Sequence, residues 1–236
     1  MSAAPNGAGF FSFIKSFASP VLEFLFPSHC PACGAYVEAR GEWCPACLSN
    51  AVRVRRLPLD ASHQGVLDEA WAFGLYHGAL RNLLLPLKFK KRRDGLDAIR
   101  IFLDEAGGRL PRAEWMPGVV VPVPLFTGKE KERGGNQTEM IFRDWLETQG
   151  WTWRRALVRI RATEPQFGLS AAMRAENIKG AFALAGDVSP EEVAGRTVLL
   201  VDDILTTGAT LAECARTLRK AGASAVSAWT LASDRL

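Results

Sequence analysis

The stretch VLLVDDILTTGAT, residues 198–210, constrains the fold of this chain more than any other. Val198 to Val201 is a continuous apolar run with β-branched residues at both ends, which predicts a buried parallel strand. Leu211 to Ala221 carries Leu211, Ala215 and Leu218 at helical spacing, with Lys220 near its end and Gly222 as a stop signal. Ala225 to Leu231 supplies a second apolar run. Strand, loop, helix and strand in this order make an α/β unit, and such sheets bind ligands at the carboxyl ends of their strands.

The loop between strand and helix is Thr206-Thr207-Gly208-Ala209-Thr210. Unpaired N–H groups and the helix dipole make that position receptive to anions. Gly208 lets an oxygen approach the backbone closely, and the threonine hydroxyls add donors. A phosphate monoester fits. The common P-loop does not, because its lysine and glycine spacing are absent. Asp202 and Asp203 would repel a phosphate, so they have another role. They can accept hydrogen bonds from sugar hydroxyls or hold a divalent cation, directly or through water. Acid pair and phosphate loop together point to a ribose 5-phosphate group. A receiver domain also carries adjacent aspartates after a strand, but too little chain follows Asp203 to complete one.

The chain has 236 residues, enough for one large domain and a small module, and its formal net charge of +4 diagnoses nothing by itself. Four of its five cysteines are informative. Cys30, Cys33, Cys44 and Cys47 form a C-x2-C-x10-C-x2-C pattern, two short turns that can present four thiolates to one tetrahedral ion. So small a ribbon cannot hold itself together by burial alone, so metal binding would supply its folding energy. Two matched pairs argue against a redox dithiol, and no secretory signal supports disulfides. Iron uses the same ligands as zinc, but structural Zn²⁺ is the expectation. Cys214 lies in the predicted helix and reads as a small buried apolar residue. His29, His63 and His77 read as solvated or packed.

Residues 1–27 form an N-terminal apolar, amphipathic segment whose stretch 9–27 is strongly aromatic, with Phe10, Ile14, Phe17 and Val21 near helical spacing. They are interrupted by Lys15, Pro20 and Glu23, too soon for a membrane span. A helix packed on the protein is expected, with no stable membrane insertion and a cytoplasmic location. Asp60 to Gly65 reads as a linker, Trp71 to Tyr76 as a strand, and Gly78 to Phe89 as a helix kinked at Pro86. Val119 to Val123 reads as a strand whose prolines, Pro122 and Pro124, lead into a rigid loop with room for a cis bond. ERGGNQTEMIF, residues 132–142, opens a further helix. The polar segment 161–184 follows a short strand and reads as a solvated loop or a flap over substrate. Lys88, Lys90, Lys91, Arg92 and Arg93 place five positive charges within six residues. A solvated helix end and a salt-sensitive contact with nucleic-acid phosphates are both open there.

All thirteen positions of residues 198–210 resemble the phosphoribosyl-diphosphate (PRPP) signature of type I phosphoribosyltransferases. The chain as a whole resembles the ComF family of competence-associated proteins. The four-cysteine ribbon, LKFK at 87–90, VPVPL at 121–125, RGGNQ at 133–137, RATEPQ, RAENIKGAF and the signature carry that resemblance in order. Gly135 departs from it, standing where family members usually have an aromatic residue. The resemblance implies a zinc ribbon at 28–59 and a phosphoribosyltransferase-like parallel sheet with flanking helices at 66–236. It implies that PRPP binds with Mg²⁺, Asp202 and Asp203 holding the ribose and Thr206, Thr207, Gly208, Ala209 and Thr210 the 5-phosphate. Lys88 and Arg133 are expected near the diphosphate. It also implies a link to DNA uptake, with single-stranded DNA and competence proteins as partners. Two functions follow: a phosphoribosyltransferase whose acceptor and subunit number stay open, or a non-catalytic, PRPP-responsive factor that handles single-stranded DNA.

Overall fold

The computed structural model describes residues 27–60, 63–89, 93–110, 117–163 and 170–235. The expectations for the aromatic stretch before residue 27, for Lys90, Lys91 and Arg92, and for residues 164–169 of the polar segment fall outside these residues.

Five strands form the main sheet. They are β1 (Val52–Leu57), β2 (Glu69–Leu75), β3 (Val119–Pro122), β6 (Thr197–Leu205) and β7 (Ala225–Ser233), in spatial order β1-β2-β7-β6-β3. The last four run parallel, and only β1 pairs antiparallel, at the edge. Parallel strands must be covered on both faces. The helices that do so are α2 (Gly78–Phe89), α3 (Leu96–Gly107), α5 (Gln137–Glu147) and α7 (Ala209–Lys220). Strand β6 shows why. Its side chains alternate with period two, so Val198 and Leu200 join Leu211, Cys214 and Leu218 of α7 in one core. Leu199 and Val201 join Ile99, Phe102, Ile141 and Phe142 of α3 and α5 in the other. Phe73 anchors that second core, with Phe142, Trp145 and Trp229 at ring-centroid distances of 6.1, 6.1 and 5.5 Å.

The cysteine ribbon is docked on this core. Helix α1 (Pro45–Ala51) starts directly after Cys44, with Pro45 in its first turn where no N–H is needed. Trp43 is buried, packs 6.2 Å from the Phe102 ring and donates its indole N–H to Ala98 O at 2.9 Å. A second, two-stranded sheet pairs β4 (Leu157–Arg159) with β5 (Phe182–Leu184), and α6 (Ala171–Ile178) lies between them in sequence. The helix α4 (Thr127–Arg133) completes the set.

Four expectations are corrected. The strand of the signature does not stop at Val201: Asp202 and Ile204 still pair with Thr230 and Ala232 of β7, so the acids sit in the strand. The helix after it begins at Ala209, two residues early, because Gly208 already turns the chain as its N-cap. Pro122 and Pro124 are trans, since no cis peptide occurs among the described residues, and Val123 N continues the ladder to Val201 O at 2.9 Å. The described part of 161–184 is not one continuous solvated loop, since it contains α6 and β5. Ser170 caps α6 by accepting from Met173 N, and Gly180 N donates to the buried carboxylate of Glu213 at 2.8 Å, which ties the hairpin to α7.

Candidate functional site

The carboxyl ends of β6 and β3 meet the end of α2 and the start of α5, and four polar side chains converge there. Asp203 is buried, and its Oδ2 lies 2.9 Å from Lys88 Nζ. Asp202 Oδ1 accepts from the Asp203 N–H at 2.8 Å and from Thr138 Oγ1 at 3.3 Å. Burial pushes the Asp202 carboxyl up to about 7; the charge of Asp203 adds to this, and Lys88 and the two hydrogen bonds oppose it. Burial works against the Lys88 charge, but Asp203 and Asp202 outweigh it, and the ammonium is held above its ordinary value. Lys88 therefore stands protonated against Asp203 and within the field of Asp202.

The start of α5 is fixed from below. Asn136 accepts from Thr138 N at 3.0 Å as the helix N-cap and donates its amide to Val123 O at 3.0 Å, binding the helix start to the loop after β3. Arg133 Nη1 donates to Gln137 Oε1 at 3.0 Å, and Gln137 Nε2 reaches Leu87 O at 3.4 Å, beside Lys88. Arg93 donates to Gly134 O at 3.1 Å. Gly135 has φ of 136°, a backbone that an aromatic residue at this position would resist.

The five-residue loop is held in shape by groups outside it. Arg235 Nε donates to Thr206 O at 2.7 Å, and its Nη2 donates to Thr207 O. Two of the loop's carbonyls are therefore engaged by one side chain, and the Ala209 N–H at the start of α7 lies 3.5 Å from Thr207 Oγ1. Gly208 has φ of 81°, and a Cβ there would run into the His63 ring. His63 is itself buried, with Nδ1 2.6 Å from Asp60 Oδ1. Two constraints thus demand glycine at one residue, a left-handed backbone and an imidazole against its Cα. Arg174 Nη1 reaches Thr206 Oγ1 at 3.4 Å from α6.

Asp202, Asp203, Lys88 and the Thr206–Thr210 loop thus gather at one end of the sheet, with Arg133 linked to Lys88's helix through Gln137. Sequence reasoning missed Arg235, Asp60 and Glu213, which have no local pattern. It also missed Thr138 and Asn136, although the quoted RGGNQT run contains them. His63, read as packed or solvated, is packed against the loop itself.

The cysteines form a separate cluster. The Sγ atoms of Cys30, Cys33, Cys44 and Cys47 lie within 4.8 Å of one another, and Cys33 Sγ is 3.7 Å from Cys44 Sγ. Tetrahedral Zn–S bonds of about 2.3 Å place ligand sulfurs about 3.8 Å apart, so the four thiols fit zinc and none is disulfide-bonded. Burial disfavours the Cys30 thiolate, but N–H groups of Cys33, Ala32 and Cys44 reverse this and bring the thiol down to about 6. The hydrogen bonds of Cys44 and Cys33 push Cys47 up to about 12. Four thiols this close give up all their protons only to a cation.

The family description "Phosphoribosyl transferase domain" matches residues 154–235, and "Double zinc ribbon domain" matches residues 21–57. The first takes in both acids and the loop, the second the four cysteines. The fold is accordingly a phosphoribosyltransferase-like α/β sheet with an N-terminal zinc ribbon. The chain is 33% identical over 207 residues to DNA utilization protein YhgH of Escherichia coli (strain K12), covering 86% of this chain and 82% of that one. It is 31% identical to Competence protein F of Haemophilus influenzae, covering 88% and 85%. It is 26% identical to Competence protein ComFC of Bacillus subtilis, covering 86% and 76%. With both modules matched and relatives above 30% identity over more than four fifths of each chain, the chain belongs to the ComF family.

Proposed function

We propose that this chain binds PRPP with Mg²⁺ at the carboxyl ends of β3 and β6 and transfers its phosphoribosyl group. The observation that carries this reading is the position of Asp202 and Asp203, at the last turns of a parallel strand and directly ahead of a Gly208-led helix start. Amides and hydroxyls of Thr206 to Thr210 would take the 5-phosphate. The two carboxylates would accept from the ribose hydroxyls and favour the positive charge that develops at the anomeric carbon as diphosphate leaves. Lys88, paired with Asp203, and Arg133 would face the diphosphate. Mg²⁺, arriving with the ligand, supplies charge neutralisation of the diphosphate. The ribbon would hold one structural Zn²⁺ and serve as a rigid platform on α3.

A second reading keeps the PRPP site but removes turnover, so that PRPP controls contact with single-stranded DNA. The basic run Lys88–Arg93 and the relatives named for competence and DNA utilization favour it. Release of inorganic diphosphate from PRPP in the presence of candidate bases and amines decides between the two. Acceptor-dependent release supports the transferase. PRPP binding with no release under any acceptor, together with PRPP-dependent capture of single-stranded DNA at low salt, supports the second reading. There, changing Lys90, Lys91, Arg92 and Arg93 to Ala should flatten the salt dependence of DNA binding.

A further inference from the structure

The run RAENIKGAF, residues 174–182, leads from α6 into β5 and lies outside the acid pair and the anion loop. Three of its residues nevertheless reach α7 or the loop ahead of it. Ile178 is buried in the core that Leu211 and Cys214 of α7 share. Gly180 N donates to Glu213 Oε1 at 2.8 Å. Arg174 stands four residues before Ile178, hence on the same face of α6. Met173, Ala175 and Glu176 around it are exposed, but Arg174 is half-buried, and its Nη1 donates to Thr206 Oγ1 at 3.4 Å. The neighbouring arginines are used differently. Arg161 donates to Asn177 O and Lys179 O at 2.9 Å each, and Arg159 to Thr163 Oγ1.

Thr206 is thus gripped twice by side chains from outside the loop. Arg235 Nε holds its carbonyl at 2.7 Å, and Arg174 holds its hydroxyl. A threonine hydroxyl has one proton to give and two lone pairs that accept. The guanidinium only donates, so it occupies a lone pair and leaves the proton for an acceptor elsewhere. A hydroxyl that accepts from a cation is a stronger donor to an anion, because each bond polarises the next. Thr206 belongs to the loop whose helix start already favours negative charge.

We propose that Arg174 is a positioning residue for the anion on the Thr206–Thr210 loop and acts through the Thr206 hydroxyl. It turns that hydroxyl into a donor to the 5-phosphate of PRPP. The ties of Ile178 and Gly180 to α7 hold α6 where Arg174 can do so. The identity of the anion rests on the PRPP reading; the link from Arg174 through Thr206 does not.

The test is a double-mutant cycle in the full chain, read by calorimetric titration of PRPP with Mg²⁺. Its members are wild type, Arg174→Met, Thr206→Val and the double variant, with Arg174→Lys as the conservative replacement. Methionine keeps an apolar stem and valine keeps the threonine shape, so the cycle isolates the guanidinium and the hydroxyl. Arg174→Met should weaken binding about tenfold, the scale of one lost charged hydrogen bond, and Arg174→Lys should recover most of it. Thr206→Val should weaken binding too. The double variant should bind as Thr206→Val does, because the arginine has nothing left to act through. Two outcomes overturn the proposal: Arg174→Met that binds like wild type, or losses that multiply in the double variant. If wild type does not bind PRPP, the PRPP reading fails by itself. Inorganic phosphate, titrated against the amide NMR signals of Thr206, Thr207 and Gly208, then decides the arginine. A wild-type shift that Arg174→Met weakens supports the proposal, and no shift, or the same shift in both, overturns it.

Discussion

Lys88 Nζ and Asp203 Oδ2 stand 2.9 Å apart, joining the end of α2 to the end of β6. The pair is mostly buried, with side-chain exposures of 20% and 12%. Breaking such a pair from one side leaves a carboxylate without its counter-charge. Lys88→Met should therefore destabilise the fold at pH 8 by about 1–3 kcal/mol, since some solvent screening remains. At pH 5 the loss should shrink as Asp202, raised to about 7, takes up its proton and the negative charge beside the vacated position falls. Chemical denaturation at the two pH values measures this.

Asp202 makes the complementary prediction. Its folded value, raised to about 7 from an ordinary 3.8, means that the folded chain binds a proton more tightly than the unfolded chain. Stability from this group is therefore full below about 4 and is lost as pH rises through about 7. Asp202→Asn, which never ionises, should match wild type near pH 4.5 and exceed it at pH 8. Melting curves across that window check it, and a variant less stable than wild type at pH 8 would contradict the assignment.

The ribbon should contain about one zinc per chain by metal analysis. Stripping it with a chelator should expose Trp43, which the ribbon buries against Phe102, and lower the melting temperature. A metal-free preparation with native stability and two disulfides would rule the site out.

Phe73 contacts three aromatic rings and is fully buried. Phe73→Ala should cost about 3–5 kcal/mol. Measured in denaturant, a loss below about 1 kcal/mol would show that this core collapses around the gap.

The elements that were legible in the sequence share a cause. The apolar run of β6, the Gly208 turn, the helical spacing of α7 and the cysteine pairs are local patterns, and local patterns survive without tertiary context. The strand end was misjudged because Asp202 and Asp203 look like loop residues. Their place in the ladder is set by Thr230 and Ala232 of β7, more than twenty residues away in sequence. The segment 161–184 looked like a loop because it is polar. Its helix depends on the Ser170 cap and on Glu213 of α7, a buried acid that only the fold supplies. Arg235 and His63 were invisible as site residues for the same reason: each shapes the loop from a distant part of the chain.

The central claim is that the Gly208-led loop and the acid pair hold PRPP. Calorimetric titration of PRPP with Mg²⁺ into wild type, Asp203→Asn and Gly208→Val tests it most directly. Wild type should bind. Asp203→Asn keeps the shape and removes the charge, and should weaken binding by roughly 1–3 kcal/mol. Gly208→Val meets both the φ of 81° and the His63 ring, and should abolish binding while circular dichroism shows the fold retained. Affinity unchanged in both variants would contradict the account and move the ligand elsewhere.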